Sequence, residues 1–333
     1  MRISLVSDAW FPQINGVVRT LNRVREELEG LGHQVAVVSP SDFKTFPCPT
    51  YPEIRLALRP AAGLRRLLEA AEPQAIHLPT EGPLGLAARR YCLKRGLPFT
   101  TSYHTRFPEY VAARGPVPLG WGYRFMRWFH GRSEGVMVAT PSLKRELEAR
   151  GFDNLRQWSR GVDLTLFRPR PEAEPLDLPR PIFLYVGRVA VEKNIEAFLK
   201  LELPGSKLVV GDGPQLASLR KAYPAVRFAG AKVGEELARH YASGDVFVFP
   251  SRTDTFGLVL LEAMASGLPV AAYPVTGPLD VVGGSGAGVL DEDLGKAARA
   301  ALEIDPTAAR RYAERFSWQA CAQQFLGHLK PFA

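Results

Sequence analysis

The stretch Ser251-Arg252-Thr253-Asp254-Thr255-Phe256-Gly257-Leu258-Val259-Leu260-Leu261-Glu262-Ala263-Met264-Ala265-Ser266-Gly267-Leu268-Pro269-Val270 places two carboxylates eight residues apart across a loop-to-helix junction. The apolar run Leu258 to Met264 and the stop at Gly267-Leu268-Pro269 predict a helix from Phe256 onward. At about 1.5 Å per helical residue, Asp254 and Glu262 then stand at most roughly 12 Å apart. A hexose and a ribose joined by a diphosphate span a similar distance. The first-turn amides near Phe256, Gly257 and Leu258 lack partners within the helix and favour anions through hydrogen bonding and the helix dipole. One acid can accept from sugar hydroxyls, the helix end can hold phosphate, and the other acid can accept from a ribose diol.

Around this stretch, short apolar runs alternate with helical segments, the pattern of an α/β fold with doubly wound parallel sheets. The first series is Arg2–Ser7, Gln34–Val38, Ala75–Leu78, Phe99–Ser102 and Val136–Ala139, with a helix from about Val17 to Leu31. The second is Ile182–Val186, Lys207–Val210, Val226–Phe228, Val246–Phe249 and Pro269–Ala272. Between them, residues 168–181 hold five prolines and few apolar groups and read as a linker. At 333 residues the chain exceeds one ordinary α/β core. The expected division is 1–168, a linker at 169–181 and 182–315, with a last helix in 316–333 returning to the first domain. Two facing sheets put ligands in an interdomain cleft beyond the strands' carboxyl ends.

Other residues sit at those strand ends. Gly187-Arg188-Val189-Ala190-Val191-Glu192-Lys193 follows Ile182–Val186, so Arg188 and Lys193 can neutralise a diphosphate, Arg as a planar fork and Lys as a point charge. Gly211-Asp212-Gly213-Pro214 makes a turn after the next strand. Gly16 opens a helix where phosphate could approach backbone amides. Glu81, and Tyr103 and His104 in Ser102-Tyr103-His104-Thr105, end two first-half strands, and Arg160 precedes the linker. No Gly-x-Gly-x-x-Gly follows the opening strand of either half, and no Walker lysine loop exists. Asp291-Glu292-Asp293 matches an Asp-x-Asp metal pattern, but it lies just before a helix at Leu294–Leu302, where acids cap the dipole. No metal or other cofactor is expected.

In this order the motifs resemble those of family 4 retaining glycosyltransferases with the GT-B architecture, in which an acid is followed by seven residues and a Glu. The first acid is usually Glu and here is Asp254, in a Thr-Asp-Thr-Phe-Gly context similar to bacterial α-mannosyltransferases and to sulfoquinovosyl- and glycosyl-diacylglycerol synthases. The resemblance implies a hexose transfer from a nucleotide sugar, GDP-mannose before UDP-sugars, to an acceptor hydroxyl. It implies a catalytic set of His104, Asp254, Arg188 and Lys193. Donor contacts would come from Gly16, Arg188, Lys193, Gly211, Asp254, Thr255, Phe256, Gly257, Leu258 and Glu262. Glu81, Tyr103, His104 and Arg160 fall on the acceptor side, and Arg160 either serves the donor or pins the hinge through Asp163.

With 46% hydrophobic and 23% charged residues and no apolar run of membrane-spanning length, the chain reads as a soluble protein. Three unclustered cysteines and no signal-peptide pattern suit a reducing cytoplasm. Residues 1–168 carry 24 Lys/Arg against 15 Asp/Glu, so the net charge of +8 is concentrated there. Without an RNP, zinc-finger or glycine-arginine pattern, nucleic acid is not the expected partner. Trp121, Phe125, Trp128 and Phe129 recur at helical spacing near Arg124, Arg127 and Arg132. That stripe reads as core packing or as an interfacial helix on anionic lipid, the latter making the protein peripheral on the cytoplasmic face and the acceptor a membrane lipid. The alternatives are a nucleotide-sugar epimerase of the same architecture and a transferase acting on a soluble sugar.

Overall fold

The computed structural model describes residues 1–13, 15–48, 51–112, 118–170, 176–254 and 256–332. The chain divides into two compact units, Met1–Arg160 with Trp318–Ala333, and Gly161–Ser317.

The first unit holds strands β1 (Arg2–Val6), β2 (Gln34–Val38), a hairpin of β3 (Thr45–Cys48) and β4 (Tyr51–Ala57), β5 (Ala75–Leu78), β6 (Thr100–Tyr103), β7 (Val136–Val138) and β8 (Leu155–Gln157). Its helices are α1 (Gly16–Gly30), α2 (Ala61–Ala71), α3 (Pro83–Arg95), α4 (Phe107–Ala112), α5 (Leu119–His130) and α6 (Pro141–Ala149). Its parallel sheet runs β2-β1-β5-β6-β7-β8, with Leu5 facing both Val37 and His77 in register.

The second unit has β9 (Ile182–Val186), β10 (Ser206–Val210), β11 (Arg227–Gly230), β12 (Val246–Phe249), β13 (Val270–Ala272) and β14 (Gly288–Leu290), with helices α7 (Ile195–Leu199), α8 (Leu216–Ala222), α9 (Gly234–Ala242), α10 (Leu258–Ala265), α11 (Thr276–Val281), α12 (Leu294–Ala301) and α13 (Pro306–Ala313). Its sheet order is β11-β10-β9-β12-β13-β14, all parallel. The fully buried β9 (Ile182, Phe183, Leu184, Tyr185, Val186) and β12 (Val246, Phe247, Val248, Phe249) explain why these strands read as unbroken apolar runs. The last helix, α14 (Trp318–His328), packs on α1 in the first unit, with Phe325 edge-on against His77 at 4.9 Å.

The passage between units falls at Arg160/Gly161, ahead of the proline-rich stretch expected to be the linker. The reason is local bonding. The Arg310 guanidinium donates to the carbonyls of Leu164 and Phe167, the Phe167 ring stands edge-on to Tyr241, and Arg170 pairs with Glu235 at 2.8 Å. At the far end Arg180 pairs with Asp245 at 2.6 Å. The described residues of the stretch therefore belong to the second unit, while 171–175 lie outside the described residues.

Candidate active site

In a parallel sheet, ligands favour the point where strand order reverses. In the second unit that point lies between β9 and β12. After β9 the chain turns through Gly187, whose amide donates to Val210, while Val189 donates to Asp212, zipping this turn onto the one after β10. A Cβ on Gly211 would sit 1.8 Å from the Gly187 carbonyl oxygen, so only glycine fits there. Gly211 thus acts first as the joint between two turns. The Tyr185 hydroxyl donates to the Arg188 carbonyl at 2.8 Å, fixing the turn that presents the exposed Arg188 side chain.

Across the reversal, Lys193 Nζ donates to Asp254 Oδ1 at 2.5 Å, and Asn194 Nδ2 reaches the Pro250 carbonyl at 3.1 Å. The second Asp254 oxygen, Oδ2, is buried without a hydrogen-bond partner among the described residues. Thr255 lies outside the described residues. Phe256 is buried, and Gly257, at φ 84°, opens α10 with no side-chain cap. The helix therefore starts at Leu258, two residues later than the sequence pattern predicts, because a left-handed Gly257 cannot belong to it. Of its first amides, Leu260 donates to the Gly257 carbonyl at 2.9 Å, while those of the half-exposed Leu258 and of Val259 precede the first intrahelical acceptor. Glu262 is buried and accepts from the Tyr241 hydroxyl at 2.7 Å, so one oxygen expected to face a ribose is held by the core.

The acids 291–293 are consumed locally. Asp293 caps α12 by accepting from the Lys296 amide at 3.0 Å, Asp291 pairs with the Lys296 ammonium at 2.7 Å, and Glu292 pairs with Arg252 at 3.0 Å.

In the first unit the reversal lies between β1 and β5. Here Asp8, missed in the sequence reading, reaches across and accepts from the amides of Leu84 (2.8 Å) and Gly85 (3.1 Å) and from the Thr80 hydroxyl (2.9 Å). It caps α3, whose own cap residue Gly82 supplies no side chain. Burial nevertheless holds the Asp8 carboxyl above the ordinary Asp range. The sequence signal was an acid two residues past the end of a buried strand. Gly16 begins α1, and the Asn15 side chain takes the Val18 amide at 3.0 Å.

Glu81 lies 3.2 Å from the fully buried His130 Nε2. Tyr103 corrects an expectation, since it is fully buried between His130 and Phe152 and cannot meet an acceptor. Its neighbour His104 is partly exposed and sits 3.4 Å from Arg160. Burial, with the Arg160 charge second, holds its imidazole well below the usual range, hence neutral. Arg160 also departs from expectation. It is 5% exposed and donates to the carbonyls of Trp158 and Ser159, while Asp163 caps the Thr165 and Leu166 amides.

Helix α5 buries Tyr123, Met126, Phe129 and His130, not one stripe of the quoted aromatics. Trp121 and Trp128 are exposed, at 73% and 53%. Beside Trp128, a cavity of about 680 Å³ lies between α3 and α5, lined by Leu86, Arg89, Arg90, Leu93, Lys94 and Trp128. Among the described residues no helix is long and apolar enough to cross a membrane.

Two parallel-sheet Rossmann-like units, one carrying a basic pair beside an uncapped helix end, define a glycosyltransferase of GT-B architecture. Residues 14–166 match the description Glycosyltransferase Family 4, and residues 180–304 match Glycosyl transferases group 1. A GDP-mannose-dependent alpha-mannosyltransferase of Mycobacterium tuberculosis is 30% identical over 98% of this chain and 96% of its own. An alpha-monoglucosyldiacylglycerol synthase of Streptococcus pneumoniae is 28% identical over 82% of this chain and 71% of its own. The solved sucrose-phosphate synthase of Thermosynechococcus elongatus shares the fold, with a TM-score of 0.76 at 24% identity over 98% of this chain and 97% of its own. The chain belongs to glycosyltransferase family 4.

Proposed function

We propose that this enzyme is a retaining hexosyltransferase that moves a hexose from a nucleoside-diphosphate sugar to a hydroxyl of a membrane lipid, without a metal ion, at the cytoplasmic face of the membrane. GDP-mannose is the favoured donor and a UDP-sugar the second, a preference supported by the Mycobacterium tuberculosis relative. The observation that carries the reading is the Lys193–Asp254 pair beside the uncapped end of α10 at the strand-order reversal. A diphosphate arriving there draws Lys193 toward itself, joins Arg188 and the α10 amides, and releases Asp254 to accept from sugar hydroxyls. Cation and helix end act most strongly on the departing diphosphate, where negative charge accumulates as the sugar–oxygen bond breaks. The acceptor hydroxyl attacks from the leaving-group side, its proton passes to a phosphate oxygen, and the new bond keeps the anomeric configuration.

The lipid acceptor is supported by the Streptococcus pneumoniae relative and by the outer surface of the first unit. There Trp121 and Trp128 stand out beside Arg90, Lys94, Arg124 and Arg132, exposed cations without a carboxylate partner among the described residues. Aromatics and cations together suit an anionic lipid interface.

A thermal-shift panel of nucleotide sugars tests the donor, since a sugar present at about 100 times its dissociation constant adds roughly 2.7 kcal/mol of stability. No shift with any nucleotide sugar would sink the proposal. Products formed with and without acceptor, in excess chelator, separate transfer from epimerisation and test metal independence. Sedimentation with anionic and neutral vesicles tests the lipid arm, and transfer only to soluble sugars would overturn it.

A further inference from the structure

His104 and Arg160 meet over the end of β7, arriving from the strands on either side of it, His104 directly after β6 and Arg160 three residues after β8. A guanidinium has only donors. Its 3.4 Å approach to His104 Nδ1 therefore makes that nitrogen the acceptor, and the ring proton resides on Nε2. Arg160 is fixed from behind. Its Nη1 donates to the carbonyls of Trp158 (2.7 Å) and Ser159 (3.0 Å), and its plane lies 4.2 Å over the Trp158 ring. Trp158 is fully buried and is held in turn by α14, through Nε1 to the Cys321 carbonyl at 3.1 Å and a ring contact with Phe325 at 5.1 Å. The same helix binds the Ser159 amide through Gln324 Oε1 at 2.9 Å.

A buried cation without a carboxylate is costly to keep, and Arg160 has no such partner among the described residues. We infer that Arg160 is a positioning residue that fixes His104 as the neutral Nε2–H tautomer, so that His104 serves the reaction as a hydrogen-bond donor and not as a base. The inference rests on the hexosyltransferase reading only for what the donor serves, a hydroxyl of the sugar being moved or of its acceptor. The other titratable groups facing His104 are His77 and His130, which also oppose its protonation.

Imidazole nitrogen-15 spectra of the full chain, with His104→Gln to assign the signal, read the tautomer directly and need no substrate. Wild-type His104 should show Nε2–H, unprotonated, from about pH 5 to 8. Folded Arg160→Met should show mixed tautomers, with the ring still resisting protonation because burial is the larger cause. Arg160→Gln, which removes the charge and offers an amide oxygen able to accept from Nδ1–H, should gain Nδ1–H and covers the case in which the Met variant does not fold. Transfer by either variant should fall about tenfold in kcat with the donor KM unchanged. An Nδ1–H tautomer in the wild type, or a wild-type spectrum in a folded variant, overturns the inference. Absence of any transfer by the wild type, with the tautomer as stated, sinks the functional reading alone.

Discussion

The two sheets reverse strand order at β1/β5 and at β9/β12, and each reversal brings a helix end to the carboxyl edge of its sheet. In the first unit that end is already closed, because Asp8 fills the amides of α3 with its own carboxylate. In the second, Gly257 leaves α10 uncapped and the nearest acid is turned aside onto Lys193. The same topology thus makes a structural cap in one unit and an anion-ready edge in the other. That contrast supports the proposed placement of the donor's phosphate on the second unit.

The largest expected difference between the units appears in acid. His77 is fully buried between the Thr100 and Ser102 hydroxyls, and its pKa is lowered to about 3, first by burial and then by His130; His104 is lowered in the same direction. Both take protons in the unfolded chain near pH 6.5 but resist them when folded, so the unfolded state binds more protons below that pH and stability falls as pH drops. His77 alone should cost the first unit roughly 3 kcal/mol by pH 4. The second unit has one histidine, His240, on its surface. All five tryptophans lie in the first unit, so tryptophan emission reports on it selectively. Emission should change at a higher pH than the bulk of the circular dichroism. Coincident transitions would break the comparison.

Next in size is Asp8→Ala, which strips two helix amides and a hydroxyl of their acceptor. It should lower first-unit stability by about 2–3 kcal/mol in urea unfolding followed by tryptophan emission. Asp254→Ala is the counterpart. Its pair with Lys193 is about a quarter exposed on both sides (25% and 22%), and such pairs contribute little, so stability should change by less than about 1 kcal/mol. Equal losses in the two variants would mean that both acids are structural.

How far the sequence revealed this depends on locality. The limits of β2, β5, β9 and β12 follow from apolar runs, fully buried in the last three, and the basic pair and spaced acids follow from their place after such runs. The hairpin β3–β4 and the three-residue strands β8 and β14 escaped because mixed residues such as Arg156, Gln157 and Gly288 carry no clear alternation. Tyr103 was misplaced because a strand's last residue alternates between core and edge on a margin of one residue. Asp8 on α3, and Arg160 on His104, join residues 76 and 56 positions apart, and nothing local encodes such a meeting.

Lys193→Ala addresses the open edge itself. It should weaken donor binding or slow turnover by roughly 1.5–3 kcal/mol, the value of one charged hydrogen bond, while leaving the melting temperature nearly unchanged. Glu262→Ala makes the sharper contrast, because it also deprives the buried Tyr241 hydroxyl of its acceptor and so should lose both turnover and stability. Wild-type kinetics in folded Lys193→Ala, with saturating acceptor supplied, would remove Lys193 from the site.

The smallest expected effect on stability, and the one that separates the two faces of α5, belongs to Trp121→Ser. The inner face, with Tyr123, Met126 and Phe129, is core, whereas Trp121 is 73% exposed and packs little. Its replacement should change stability by no more than about 0.5 kcal/mol, as ordinary surface substitutions do. If the outer face meets lipid, the same variant should reduce sedimentation with anionic vesicles several-fold at low salt, because it deletes an apolar anchor while the flanking cations remain. Vesicle binding unchanged in Trp121→Ser but abolished by salt would reduce the surface to charge alone. Binding absent from the wild type would leave the outer face of α5 without a membrane role and move the acceptor into solution.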